Sequence, residues 1–224
     1  MKVLSFSYCF PNCKKPDWGV FTAQRLAVLN QREEIELEVC APSPYFPIIS
    51  YFQNNILPSA ENNRGLKVYH PRYFYFPRYF KKFDAKLYAQ GLLTWVHNYC
   101  KKHNPDLFDA HFAWPDGTGV YYICQKLKIP YIITLRGWIW VGMYHPELWK
   151  QAIQALRGAQ QIITLSESMK AVCRDAGCAE ERLHTIHNGV NREIFYPVSR
   201  MQSRKKLDFP LDRPVVVSVA YFQR

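Results

Sequence analysis

The sequence has no glycine-rich dinucleotide fingerprint, no Walker loop, no nucleophile elbow and no HExxH helix. These absences remove the usual signatures of a dehydrogenase, a P-loop nucleotidase, a serine hydrolase and a zinc protease. It also lacks any run of roughly 18 to 20 apolar residues, the length a spanning helix needs, so membrane contact is expected to be peripheral. The opening MKVLSFSYCFPNCKKPDW breaks its short apolar run with polar residues and proline and does not read as a signal peptide. Seven cysteines, an odd number scattered from Cys9 to Cys178, form neither a disulfide framework nor a CxxC pattern, which fits a reducing, cytoplasmic compartment. Cys9 and Cys13, or Cys173 and Cys178 with His184 and His187 nearby, lack a second close pair, so no metal site is expected. No internal repeat or low-complexity segment is present.

Acidic residues are also in short supply, 18 against 29 Lys and Arg, leaving a net charge of +11 over 224 residues. Such a surface favours an anionic partner: a nucleotide, a phosphate-bearing lipid, a membrane surface or nucleic acid. With 48% apolar residues the chain can fill a sizeable core, which excludes disorder.

The pattern along the chain predicts an α/β fold. KVLSFSY reads as a strand, VFTAQRLAVLNQRE as a helix, and IELEVCAP as a strand near a sheet edge because Ile35, Leu37 and Val39 alternate with glutamates. From Ser43 to Lys82 the pattern loosens into prolines and aromatics, with LKVYHP as one strand. In DAKLYAQGLLTWVHNYCKKH, Tyr88, Leu92, Trp95, Val96 and Tyr99 recur at helical spacing, and Asn104 and Pro105 end the helix. Beyond it, DLFDAHF, PYIITLR, QQIITLS and RLHTIHN alternate with helical segments, which implies crossovers and a doubly wound parallel sheet. The basic stretch YPVSRMQSRKKLDFPLDRP reads as a linker and VVVSVAYFQR as a further buried strand.

In an open parallel sheet, ligands bind beyond the carboxyl ends of the strands. Gly19, after Asp17 and Trp18, precedes a helix where bare backbone can approach a phosphate, or it serves an ordinary tight turn. His111 ends its strand with Asp109 on the same face, placed either to meet a sugar hydroxyl or phosphate or to sit satisfied in the core. Asp116 is expected to cap the helix that begins at Thr118, with Gly117 shaping the turn. Arg136 and Gly137 follow another strand, and Trp138 and Trp140 beside them suit either stacking on a sugar or covering the core. Ser166 reads as a helix cap, and the pair Asn188 and Gly189 as a turn with positive φ. The basic aromatic stretch KVYHPRYFYFPRYFKKFDAK suits a lipid interface or a lid folded on its own core; with no recognised module around it, nucleic acid is not expected as a partner.

Taken in order, GVFTAQRLAVL, DAHFAWPDGTG, IPYIITLRG, IITLSESM and IHNGVNREIFYP resemble the amino-terminal half of a glycosyltransferase family 4 enzyme of the GT-B fold. The resemblance implies transfer of a sugar from a nucleotide-sugar donor to a glycan or lipid-linked acceptor, with retention of configuration and with no cofactor or metal. It implies work in cell-surface polysaccharide or glycolipid assembly at the inner face of the membrane, with peripheral contact to anionic lipid. Residues 1–196 would be a Rossmann-like acceptor-side domain, 197–214 an interdomain linker, and 215–224 the first strand of a truncated, otherwise missing carboxyl-terminal domain that binds the nucleotide-sugar. The chain alone is therefore expected to be inactive, the alternative being a noncatalytic module that binds glycolipid or membrane. By the same resemblance Gly19 would approach the donor phosphates, and His111 would contact the transferring sugar as the catalytic residue. Arg136, Gly137 and Trp138 would line the cleft, and Asn188 and Gly189 would lie at its floor near the hinge. Where the family commonly has serine and aspartate after RG, this chain has Trp138 and Ile139, so acceptor recognition is expected to differ. Asn191 and Ala220 likewise replace the family's aspartate and glycine, the latter where phosphate is usually approached.

Overall fold

The computed structural model describes residues 1–46, 56–77, 79–137, 139 and 144–219, in two units, Met1–Asn188 and Gly189–Arg224. In the first, β1 (Lys2–Phe6) leads through a long loop to α1 (Val20–Leu29) and β2 (Glu36–Cys40). Then come β3 (Ser43–Tyr45), β4 (Ala60–Asn63), β5 (Leu66–Tyr69) and β6 (Arg72–Phe74), followed by α2 (Asp84–His103). The remainder alternates: β7 (Leu107–His111), α3 (Thr118–Leu127), β8 (Tyr131–Thr134), α4 (Pro146–Gly158), β9 (Gln161–Thr164), α5 (Glu167–Asp175) and β10 (Leu183–Thr185).

Eight strands form one sheet in the order β10-β9-β8-β7-β1-β2-β5-β4, parallel except for the antiparallel β4. This is the expected doubly wound, Rossmann-like α/β architecture. Strands of such a sheet are apolar throughout because both faces are covered. Leu4 and Phe6 face a core completed by Tyr88, Leu92, Val96 and Val120 from α2 and α3, whereas Val3 packs with Ala23 and Leu26 of α1. Each fully buried aliphatic side chain contributes about 1.5–3 kcal/mol. The second helix matches its predicted span from end to end. Asn104 closes it at φ 48° and Lys101, Lys102 and His103 occupy its last turn, where cations suit the carbonyl end.

The placing of β2 near a sheet edge needs correction. β2 is an interior strand between β1 and β5. Its alternation has another cause: Glu38 accepts hydrogen bonds from Tyr69 Oη at 3.2 Å and Tyr99 Oη at 2.6 Å, so the charged face is bonded to neighbours. Beyond β5 the edge is β4, joined by a hairpin whose Arg64 and Gly65 lie at φ 54° and 79°; positive φ at both central residues is what such a tight turn requires. The signal was the Arg-Gly pair between two short runs.

The second unit, taken by itself, holds α6 (Arg200–Lys206) inside the stretch read as linker. Arg204 stays buried by donating from Nη1 to the carbonyls of Pro210 and Leu211 at 2.8 and 3.0 Å. The strand expected from Val215 is not formed over 215–219: these residues have no ladder partner among the described residues, and Val216 and Val219 are each 94% exposed. A strand is stable only where a neighbour takes its backbone groups.

Candidate functional site

The sheet reverses its winding direction at β1 and β7, since β2 and β5 extend one way and β8 to β10 the other. The crevice outside the carboxyl ends at such a switch point is where open α/β sheets bind ligands. Pairing across it aligns Ser5 with Asp109, and His111 with Thr134.

These four side chains meet. His111, wholly buried, directs Nε2 at Asp109 Oδ2 at 3.1 Å, with Ser5 Oγ also at 3.1 Å. Ser5 Oγ and Thr134 Oγ1 donate to the two oxygens of the same carboxylate at 3.2 and 3.3 Å. Burial pushes Asp109 up, but the His111 ring, its hydrogen bond, Arg25 and Ser5 outweigh that and hold the carboxyl below the usual range. A carboxylate accepts, so Nε2 carries the proton and the other ring nitrogen is the one left over. That atom, Nδ1, is sealed from water and has no partner among the described residues. One side of the ring is therefore satisfied in the core and the other is not.

The backbone leaves the strand sharply. Phe112 lies at φ 73°, an unusual value for a residue with a side chain, while its N–H donates to Thr134 O at 2.9 Å. Gly117 then passes so close that a Cβ there would sit 2.8 Å from Phe112 O. Asp116, expected to cap α3, does something else. Its carboxyl accepts from the Tyr8 N–H at 3.0 and 3.1 Å and from Tyr88 Oη at 2.9 Å, tying the loops after β1 and β7 to α2. The amino end of α3 has no side-chain cap. Burial raises the Asp116 carboxyl to about 7 despite those hydrogen bonds.

Arg136 follows β8 and is only 6% exposed; its Nε and Nη2 find no acceptor among the described residues. Burial, then the like charge of Arg25, lowers it to about 10, with Asp109 pulling the other way. Gly137 is exposed and a Cβ would meet nothing within 4 Å. Trp138 lies outside the described residues, as does Trp140. Ile139 is fully buried and belongs to the core.

Gly19 begins α1 at φ 74°, and a Cβ would fall 2.0 Å from Cys9 O, so packing alone already demands glycine. Cys9 in turn feels the charge of Arg136, which links this turn to the β8 end. Nearby, a cavity of about 210 Å³ opens beyond β1, β2 and β5, lined by Tyr8, Lys14, Lys15, Trp18, Pro42 and His70 among others. Larger concavities, about 400 and 270 Å³, lie on helix faces along 146–157 and between α2 and α3, away from the strand ends.

Asn188 and Gly189 follow β10, three strands from β7, and fall on either side of the division between units. Neither has positive φ, so the expected turn is corrected; the chain does not reverse into a hairpin there. Two site residues went unrecognised in the sequence. Ser5 is a small polar residue in an apolar strand. Arg25 on α1 reads as a surface charge, although it lies three residues after the buried Thr22 and next to the buried Leu26, on the margin of the inward face.

The sequence profile of Glycosyltransferase Family 4 matches residues 23–194. A glycosyltransferase of Bacillus subtilis strain 168 named for teichuronic acid biosynthesis, TuaC, is 26% identical over 235 residues, covering 100% of this chain and 59% of that protein. An uncharacterized glycosyltransferase of Methanocaldococcus jannaschii is 28% identical over 123 residues, covering 52% of this chain and 33% of its own length. Among solved structures, sucrose-phosphate synthase from Thermosynechococcus elongatus superposes with a TM-score of 0.64 at 15% identity, covering 96% of this chain and 54% of that one. Anabaena Alr3699/HepE in complex with UDP-glucose gives 0.57 at 15% identity, covering 93% and 50%. UDP-GlcNAc 2-epimerase from Neisseria meningitidis gives 0.54 at 13% identity, covering 93% and 51%. The structural likeness establishes the fold, the amino-terminal Rossmann-like half of GT-B, and an epimerase sharing it shows that fold alone does not select the reaction. The chain spans 59% of the length of the Bacillus relative and 54% of that of the sucrose-phosphate synthase.

Proposed function

Because the chain belongs to Glycosyltransferase Family 4, we propose that it forms the acceptor-side wall of an enzyme that moves a sugar from a nucleotide-sugar to a glycan or lipid-linked acceptor. The observation that carries this reading is the His111–Asp109 pair at the switch point, with Nδ1 of the ring unpartnered. Asp109 fixes the ring, and Nδ1 is left to take a hydroxyl of the transferring sugar, holding its reacting carbon in register. The sugar–diphosphate bond breaks as the acceptor oxygen bonds to the same carbon, on the same face in a retaining reaction, and the acceptor proton leaves with the diphosphate. By the family resemblance, Gly19 is assigned to the donor phosphates, Arg136, Gly137 and Trp138 to the cleft, and Asn188 and Gly189 to the hinge.

The donor's nucleotide is assigned to a second domain beyond an interdomain linker at 197–214, and no metal or cofactor is required. Structures of Anabaena Alr3699/HepE hold UDP or UDP-glucose, which supports a nucleotide-sugar as donor. The name of the Bacillus relative supports cell-surface polysaccharide as the product class. The setting is the cytoplasmic face of the membrane. Among the described residues no helix is long and apolar enough to cross one. Tyr79 at 71% and Phe80 at 59% exposure, beside Lys81 and Lys82, favour peripheral contact with anionic lipid.

The test is sugar transfer from UDP-sugars by the chain joined to a family second domain and by the 224-residue chain alone. Transfer only by the joined protein supports the division of labour, whereas turnover by the short chain overturns it. Liposome pelleting at rising salt tests the membrane contact, which is absent if anionic and neutral vesicles pellet the chain equally.

A further inference from the structure

Two arginines share the crevice with Asp109. Arg136 is buried with Nε and Nη2 unpartnered among the described residues, and Arg25 has its Nη1 sealed from water in the same condition. The charge of Arg25 is felt at both Arg136 and Asp109, which puts the three groups within electrostatic range of one another. Asp109 supplies one negative charge against two positive ones, and its own hydrogen bonds are to Ser5, Thr134 and His111. Nor do the other titrating neighbours help. Burial keeps Cys9 protonated by pushing its thiol up to about 11, and Asp116 is taken by Tyr8 and Tyr88. Buried donors without acceptors are costly, and two cations facing one occupied carboxylate leave a positive charge uncompensated.

We propose that Arg25 and Arg136 form a subsite for an anionic group on the acceptor, a carboxylate or a phosphate. A planar guanidinium presents paired N–H donors that match two oxygens of either group, and here they are already desolvated and held. The proposal rests on the transferase reading and sharpens it: the acceptor is an acidic sugar or a sugar phosphate.

The test is calorimetric titration of the 224-residue chain with glucuronate, glucose 6-phosphate, glucose and UDP. Glucuronate or glucose 6-phosphate is expected to bind at least about tenfold more tightly than glucose, and the stronger of the two identifies the anion. Arg136→Gln and, independently, the half-buried Arg25→Gln each weaken that binding by about tenfold, while Lys102→Gln on α2 leaves it unchanged. Circular dichroism confirms that each variant is folded, and Arg25→Gln carries the test if Arg136→Gln is not. Equal binding of glucose and the anionic sugars, or indifference to both arginine variants, overturns the subsite. Displacement of the anionic sugar by UDP with the same arginine dependence overturns its assignment to the acceptor. Binding is read without turnover, so a joined enzyme that transfers no sugar while glucuronate or glucose 6-phosphate still binds sinks the transferase reading alone.

Discussion

The carboxyl ends of β7 and β9 are built alike, a parallel strand running into a loop and then a helix, and they are finished differently. At β9, Thr164 Oγ1 meets Thr185 Oγ1 at 3.2 Å, Thr164 O accepts from Ile186 N at 2.8 Å, and Ser166 Oγ accepts from Met169 N at 3.3 Å to start α5. At β7, His111 Nδ1 is left over, Phe112 sits at positive φ, and α3 starts without a side-chain cap. One end closes its own hydrogen bonds and the other keeps one open at the switch point. A strand end that spends stability on open polar atoms and backbone strain is the better candidate for chemistry.

Substitutions at the two ends break this comparison or sharpen it. His111→Ala in a joined, active enzyme is expected to lower sugar transfer per folded molecule by roughly 100-fold or more, as loss of one positioned group does. Initial rates corrected for folded fraction check this, and an unchanged rate returns His111 to the core. Asp116 makes the next largest difference. Its folded carboxyl titrates near 7 against 3.8 in the reference state, so the folded state holds the extra proton between those values. Its contribution is therefore full below about pH 4 and is lost as pH rises through 7. Between pH 4 and pH 8 the native chain should lose on the order of 4 kcal/mol more stability than Asp116→Asn, measured by urea denaturation. Asp109, held low, is ionised through most of that range and does not obscure the difference.

At the closed end the effects are smaller and confined to stability. Thr164→Val, which keeps shape and removes the hydroxyl, should cost about 1 kcal/mol in urea melts with transfer per folded molecule unchanged. Ser166→Ala should cost about 1 kcal/mol through loss of the cap, again without effect on transfer. A drop in catalysis from either variant would erase the distinction between the two strand ends.

Much of the fold was readable because its signals are local. The second helix carries an apolar stripe, a basic last turn and an Asn-Pro stop within one stretch, and all three coincide with its ends. LKVYHP marked β5, but the β4–β5 hairpin was hidden because β4, Ala60–Asn63, is four residues long with a single apolar one, so no alternation registers. β2 was placed near an edge because a glutamate facing tyrosines looks the same in sequence as a glutamate facing water. The candidate site was legible at His111 and Arg136, where polar residues end apolar strands. Arg25 was not, since its role depends on an approach to Asp109, 84 positions away, that only the sheet creates. Asp116 was misread for the same reason: a helix cap is a local device, whereas its true partners, Tyr8 and Tyr88, come from distant parts of the chain.

The contact between Gly119 and Tyr88 makes a mechanical linkage of that region. A Cβ at position 119 would fall 2.3 Å from Tyr88 Cδ1, so the ring lies flush on the α3 backbone and cannot slide toward it. Its hydroxyl at the far end holds Asp116, and Asp116 holds the Tyr8 amide. The tyrosine thus acts as a strut of fixed length between a helix and the rim of the crevice. A single methyl added at Gly119 would push on one end of that strut, and the displacement would arrive at the loop after β1.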